Sequence, residues 1–117
     1  VYFNDPDCED CRRVKELLSL SPVVNGLLES GRLKLLSVCV EGKTPAWEKA
    51  DFLKSWIDGY DEGQRLTREQ VYDLKAIPAL YLLDAGKRVI LKDASLERLE
   101  AWLSENNILR KKYERPR

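Results

Sequence analysis

Cys8-Glu9-Asp10-Cys11 follows a short apolar run, Val1-Tyr2-Phe3, and opens a helical pattern at Val14, Leu17 and Leu18. Two thiols three residues apart at the mouth of a helix can close a disulfide on each other or pass it to another protein. The same spacing is also half of a zinc site. Zinc would need Cys8, Cys11, Cys39 and a fourth ligand, and the chain holds neither a histidine nor a second C-x-x-C. No metal is expected.

The lack of histidine also removes Ser–His and Cys–His nucleophile pairs. Twenty basic residues balance twenty acidic ones. A face able to neutralise phosphates would leave a basic excess, so nucleic acid is not an expected partner. Apolar residues at 44 % and charged residues at 34 % of 117 suit one globular domain. No apolar run approaches the roughly 18–20 residues that span a bilayer. Three cysteines are too few for a disulfide-stapled scaffold, and suit one working pair plus a buried thiol, Cys39. With no methionine, the chain is expected to be a mature fragment or an excised domain, any signal peptide or anchor lying upstream.

Outward from the motif, Val1-Tyr2-Phe3 reads as a strand cut at its start, and Asn4-Asp5-Pro6-Asp7 as a turn. The first helix is expected to run from Cys8–Cys11 to about Leu20. Ser21-Pro22 reads as a cap plus first-turn proline, opening a second stretch that stops at Gly31. Leu33–Val40 is apolar enough for a central parallel strand buried on both faces. Thr44-Pro45 repeats the cap signal, predicting a helix through Trp47, Ala50 and Leu53 to about Ser55. Trp56-Ile57 predicts a very short strand, followed by a loop in which Asp58, Asp61 and Glu62 are solvated. Trp56 and Tyr60 read as core or rim aromatics, with a groove beside the dithiol as the alternative. Thr67 to Gln70 has capping-box form and predicts a short helix with Val71 and Leu74 inward. Ala79–Leu83 and Val89–Leu91 form a hairpin about Asp84–Lys87. Ser95 caps a last helix with Leu96, Leu99, Trp102 and Leu103 inward, ending at Asn106-Asn107. Residues 1–109 make the domain. Residues 110–117, with five basic side chains, make a solvated tail.

A helix N-terminus offers unpaired N–H groups and a positive dipole end, which favour a thiolate. Cys8, at the mouth, is the natural attacking nucleophile. Cys11, about one turn inside, would resolve the mixed disulfide. Asp7, Glu9 and Asp10 are modulating residues whose charges oppose a thiolate beside them. The pair should therefore lean toward reduction or isomerisation rather than strong oxidation.

With Ile77-Pro78-Ala79 before a strand and Leu82-Leu83-Asp84 entering a hairpin, the sequence resembles the thioredoxin family. It is most similar to the TlpA/ResA-like extracytoplasmic branch. The resemblance covers nearly the whole chain. It implies an α/β thioredoxin fold, with a central mixed sheet of four to five strands flanked by helices. It implies a cis Ile77–Pro78 bond beside the C-x-x-C, with the Ile77 backbone pairing to an extended substrate segment. It further implies protein disulfides as substrates, a redox partner protein as electron source, no cofactor, and a place in the bacterial envelope, anchored through an upstream segment. The chain departs from the family at Asp7, where tryptophan is usual, at Asp10, often proline, and at Val14, where relatives carry a glutamate. A non-catalytic thioredoxin-like interaction module, with a structural or idle C-x-x-C, is the alternative.

Overall fold

Tyr2, Phe3 and Asn4 form the innermost strand, β1 (Tyr2–Asn4), and all three are buried. The computed structural model of the chain describes residues 1–70, 74 and 76–114, with the side chains of Thr67 and of 107–114 outside that description. After β1 come α1 (Glu9–Leu20), α2 (Pro22–Glu29), β2 (Leu35–Cys39), α3 (Pro45–Glu48) and β3 (Trp56–Tyr60). A 3-10 turn at Glu62–Gln64 leads into α4 (Arg65–Arg68), then β4 (Ala79–Leu83), β5 (Val89–Ala94) and α5 (Leu96–Glu114). The strands make one mixed sheet in the order β3-β2-β1-β4-β5. β1–β2 and β2–β3 are parallel, and β4 and β5 return antiparallel. This is the α/β thioredoxin-like architecture that the motifs imply.

Side chains alternate across β1, so Tyr2 and Phe3 seed cores on opposite faces. Tyr2 packs with Leu18 of α1, Val24 and Leu27 of α2, and Leu99 and Leu103 of α5. Phe3 packs with Val40, Ala79 and Tyr81, joined at the edge by Leu66, Leu74 and Ile77. The helices are started as their caps dictate. The Ser21 and Thr44 hydroxyls accept from the N–H groups of Val24 at 3.3 Å and Trp47 at 3.1 Å. Ser95 accepts from Arg98 N–H at 3.1 Å at the start of α5. Asp84 turns the β4–β5 hairpin by accepting from Gly86 and Arg88 at 2.8 and 2.9 Å, with Lys87 left-handed at φ +71°.

Several boundaries differ from those the pattern predicts. α3 stops at Glu48 rather than Ser55, because Trp47 turns back onto Phe52 and Tyr60 at ring distances of 5.2 and 4.9 Å. β3 is five residues rather than two, held in register along the whole of β2 from Leu35↔Trp56 to Cys39↔Tyr60. Asp58 is thereby a half-buried strand residue, not a solvated loop carboxylate. β2 is flanked by two parallel strands but is not covered on both faces, since Leu36 is 38 % exposed beside Ile57 at 52 %. α4 starts before Thr67, because Asp61 Oδ2 accepts from Leu66 N–H at 2.7 Å and Gly63 and Gln64 turn through positive φ. α4 also ends at Arg68, with Gln70 at positive φ, so Leu74 packs inward from outside any helix, and Val71 lies outside the described residues. The backbone of α5 continues past Asn106-Asn107 to Glu114.

A candidate dithiol site and the groove beside it

β1 ends at Asn4, and the turn that follows delivers Cys8 to the start of α1. Cys8 N–H donates to the Asp5 carbonyl at 2.9 Å, and Asp7 N–H donates to Asp5 Oδ1 at 3.0 Å. These bonds close the turn, with Cys8 as the extended N-cap residue at φ −81°, ψ 122°. Its sulfur takes the place of a capping oxygen and accepts from Cys11 N–H at 3.2 Å. Cys8 and Cys11 are both free thiols. Cys8 is half-buried, whereas Cys11 is 1 % exposed. Burial, then the neighbouring Cys8 side chain, pushes the Cys11 thiol up to about 12. The backbone N–H of Asp5 opposes that shift, and the charges of Cys8 and Asp5 add to it.

The three flanking carboxylates face water. Asp7, Glu9 and Asp10 are all exposed, and Asp10 pairs with Arg13 at 3.5 Å. Exposure and pairing screen their effect on the sulfurs.

Ile77 and Pro78 lie at the same end of the sheet as the dithiol. β4 runs antiparallel to β1 with Phe3 opposite Ala79, so one further step sets Pro78 opposite Asn4. The Ile77–Pro78 peptide bond is cis. Ile77 and Pro78 are both half-buried, and Ile77 rests against the Phe3 cluster.

Pattern reading alone missed the underside of the site. Tyr2, 2 % exposed, donates its hydroxyl to the carbonyl oxygen of Cys11. Its ring meets Trp56 edge-on at 6.1 Å. The signal was present: a tyrosine in a core strand needs a partner for its hydroxyl. Beside Cys11, between α1 and the segment leading to β3, opens a groove of about 610 Å³. Its floor is polar. Tyr2, Ser37 and Asp58 stand in register across β1, β2 and β3. Buried Asn4 donates to Ser37 Oγ at 2.9 Å. Burial raises the Asp58 carboxyl above the usual range, and Lys15 partly offsets this. Trp47 and Phe52 form an aromatic wall, and Lys15 Nζ donates to the Asp51 carbonyl across the opening.

Cys39 is buried and its thiol is raised by burial, a small core residue as its position implies. Among the described residues no group of three or more acidic or cysteine side chains is arranged for a metal ion. No described helix is long and apolar enough to cross a membrane.

No family model matches the chain, and no curated protein matches it. Solved structures do. The C-terminal domain of an uncharacterized protein from Bacteroides fragilis is 42 % identical, with a TM-score of 0.83, over 88 % of this chain and 75 % of that one. A thioredoxin-like protein from Bacteroides caccae is 38 % identical with a TM-score of 0.82. That match takes in 88 % of this chain but only 38 % of the longer protein. A conserved protein of unknown function from Bacteroides fragilis is 36 % identical, with a TM-score of 0.79, over 87 % of this chain and 76 % of that one.

Proposed function

Since the chain belongs to the thioredoxin-like superfamily, we propose that it is a thiol–disulfide oxidoreductase that exchanges a Cys8–Cys11 disulfide with protein substrates. The observation that carries this is the Cys8 sulfur at the N-cap of α1, 3.2 Å from Cys11 N–H. A negative sulfur there is stabilised by the helix end and by a direct N–H donor. The Cys8 thiolate attacks a disulfide of the partner. One partner sulfur leaves as a thiol, and Cys8 is held in a mixed disulfide. The Cys11 thiolate then attacks Cys8, closes the intramolecular disulfide and releases the second partner thiol. Two electrons have passed to the partner, and a redox partner protein restores the dithiol.

The substrate segment runs extended past Ile77 and Pro78, whose position at the dithiol end of the sheet supports backbone pairing there. A lean toward reduction or isomerisation rests on Asp7, Glu9 and Asp10, although their exposure weakens it. Similarity of the motifs to the TlpA/ResA-like branch supports a bacterial envelope setting.

The burial of Cys11 favours a second reading, an interaction module whose dithiol is idle. Cys11→Ser separates the two. A working oxidoreductase reduces insulin in the presence of dithiothreitol, and its Cys11→Ser form accumulates mixed disulfides through Cys8. An idle dithiol gives neither turnover nor trapping.

A further inference from the structure

The dithiol reading assigns no work to Tyr2, although this residue lies directly beneath the first turn of α1. Its ring is buried, with Trp56 edge-on beside it. Its one polar group is spent on the backbone carbonyl of Cys11. That oxygen has two lone pairs. The helical N–H four residues on, at Lys15, uses one at most, and the phenol takes the other. Cys11 is consequently held at both ends of its peptide framework. Its N–H faces the Cys8 sulfur, and its carbonyl is tied to the central strand. The phenol is suited to this duty because it stays a donor. Burial, then the nearby Cys11 and Cys8 sulfurs, pushes its ionisation above the ordinary tyrosine value.

We propose that Tyr2 is a positioning residue for the dithiol: its hydroxyl, bonded to the Cys11 carbonyl, holds the Cys11 sulfur in line to attack Cys8 in the mixed disulfide. This deepens the oxidoreductase reading and rests on it. In the step concerned, the Cys11 thiol gives its proton to solvent. The sulfur forms the Cys8–Cys11 bond while the bond from Cys8 to the partner breaks, and the partner sulfur leaves with the electron pair. Tyr2 exchanges no proton and touches no reacting atom. It acts on resolution and not on the first attack, because Cys8 lies at the N-cap, outside the peptide that Tyr2 holds.

An aromatic disulfide, 5,5′-dithiobis(2-nitrobenzoate), reads the two steps separately. The first thionitrobenzoate is released when Cys8 attacks, at a rate proportional to reagent. The second is released when Cys11 resolves, at a rate independent of reagent. Tyr2→Phe keeps the ring and removes the bond. It is expected to leave the first rate within twofold and to slow the second about tenfold, equivalent to about 1.4 kcal/mol. Trp56→Phe loosens the same ring contact without touching the hydroxyl, and should leave the second rate within twofold. The proposal is overturned if Tyr2→Phe resolves as fast as wild type, or if Trp56→Phe slows resolution equally. A wild type that releases no second equivalent fails differently, because it removes the dithiol reading itself.

Discussion

The backbone N–H of Cys11 points at the sulfur of Cys8 across 3.2 Å. A thiol therefore stands where a helix ordinarily places a serine, threonine or aspartate oxygen. The sulfur that caps the helix is also the atom proposed to attack. Replacing Cys8 by serine retains the cap and deletes the chemistry, so Cys8→Ser should melt within a few degrees of wild type while losing all mixed-disulfide formation. Replacing it by alanine removes the cap as well, at about 1 kcal/mol. Thermal melts of the two variants, paired with a gel-shift assay for trapped partners, check this.

Alkaline pH should destabilise the reduced protein. The Cys11 thiol is held up to about 12 in the fold, against an ordinary value of 9.0. Below the ordinary value both states keep the proton and the fold loses nothing. Between the two values the unfolded chain gives it up and the folded chain does not. Stability then falls with rising pH by up to about 1.4 kcal/mol per unit. Tyr2 and Cys39, both raised by burial, add to the loss in the same direction. Denaturant melts from pH 8 upward should show a steeper decline for the dithiol than for Cys11→Ser. Equal slopes would contradict the assignment to Cys11.

Ser21 joins α1, α2 and α5, and its own N–H donates to the Leu18 carbonyl at 3.2 Å at the end of α1. It is 3 % exposed, accepts from Val24 N–H at the start of α2, and donates to Glu100 Oε2 of α5 at 2.7 Å. Ser21→Ala removes both hydroxyl bonds and leaves the carboxylate of a half-buried Glu100 short of a donor. A loss of about 1–3 kcal/mol is expected from chemical denaturation. The double variant Ser21→Ala, Glu100→Gln should recover part of it.

Leu18 anchors the dithiol helix to the sheet. It is fully buried, in the cluster that contains Tyr2 and Trp56. Leu18→Ala should cost about 2–5 kcal/mol. Leu20, 69 % exposed two residues on, should tolerate alanine with little change. Urea titrations of the two variants give the contrast directly.

The parts of the fold that were legible in the sequence are those governed by local rules. Proline after serine or threonine fixed the starts of α2 and α3, Gly31 lies just beyond α2, and the Asp84 turn marked the hairpin. The parts that were not legible are governed by contacts distant in sequence. Trp47, Ala50 and Leu53 have helical spacing, yet the chain leaves the helix at Glu48, where Trp47 meets Phe52 and Tyr60. Asp58 and Gly59 are poor strand formers, but pairing to Ser37 and Val38 supplies their backbone partners. At α4 two local signals competed, and Asp61 rather than Thr67 took the helix start. The placement of Cys8 and Cys11 at the start of a helix was legible from four residues. Its support was legible only in part: a core-strand tyrosine needs a partner for its hydroxyl, but the packing of α1 over Tyr2 decides that the partner is the Cys11 carbonyl.

The measurement closest to the central claim is the redox equilibrium of the intact chain in graded dithiothreitol and glutathione buffers, with peptide mapping of each cysteine. One two-electron transition is expected, which joins Cys8 to Cys11 and leaves Cys39 reduced. Its potential should be more negative than about −180 mV, on the reducing side of known oxidants. A Cys8–Cys11 pair that never closes would contradict the oxidoreductase reading. A closed pair poised near about −120 mV would contradict its direction.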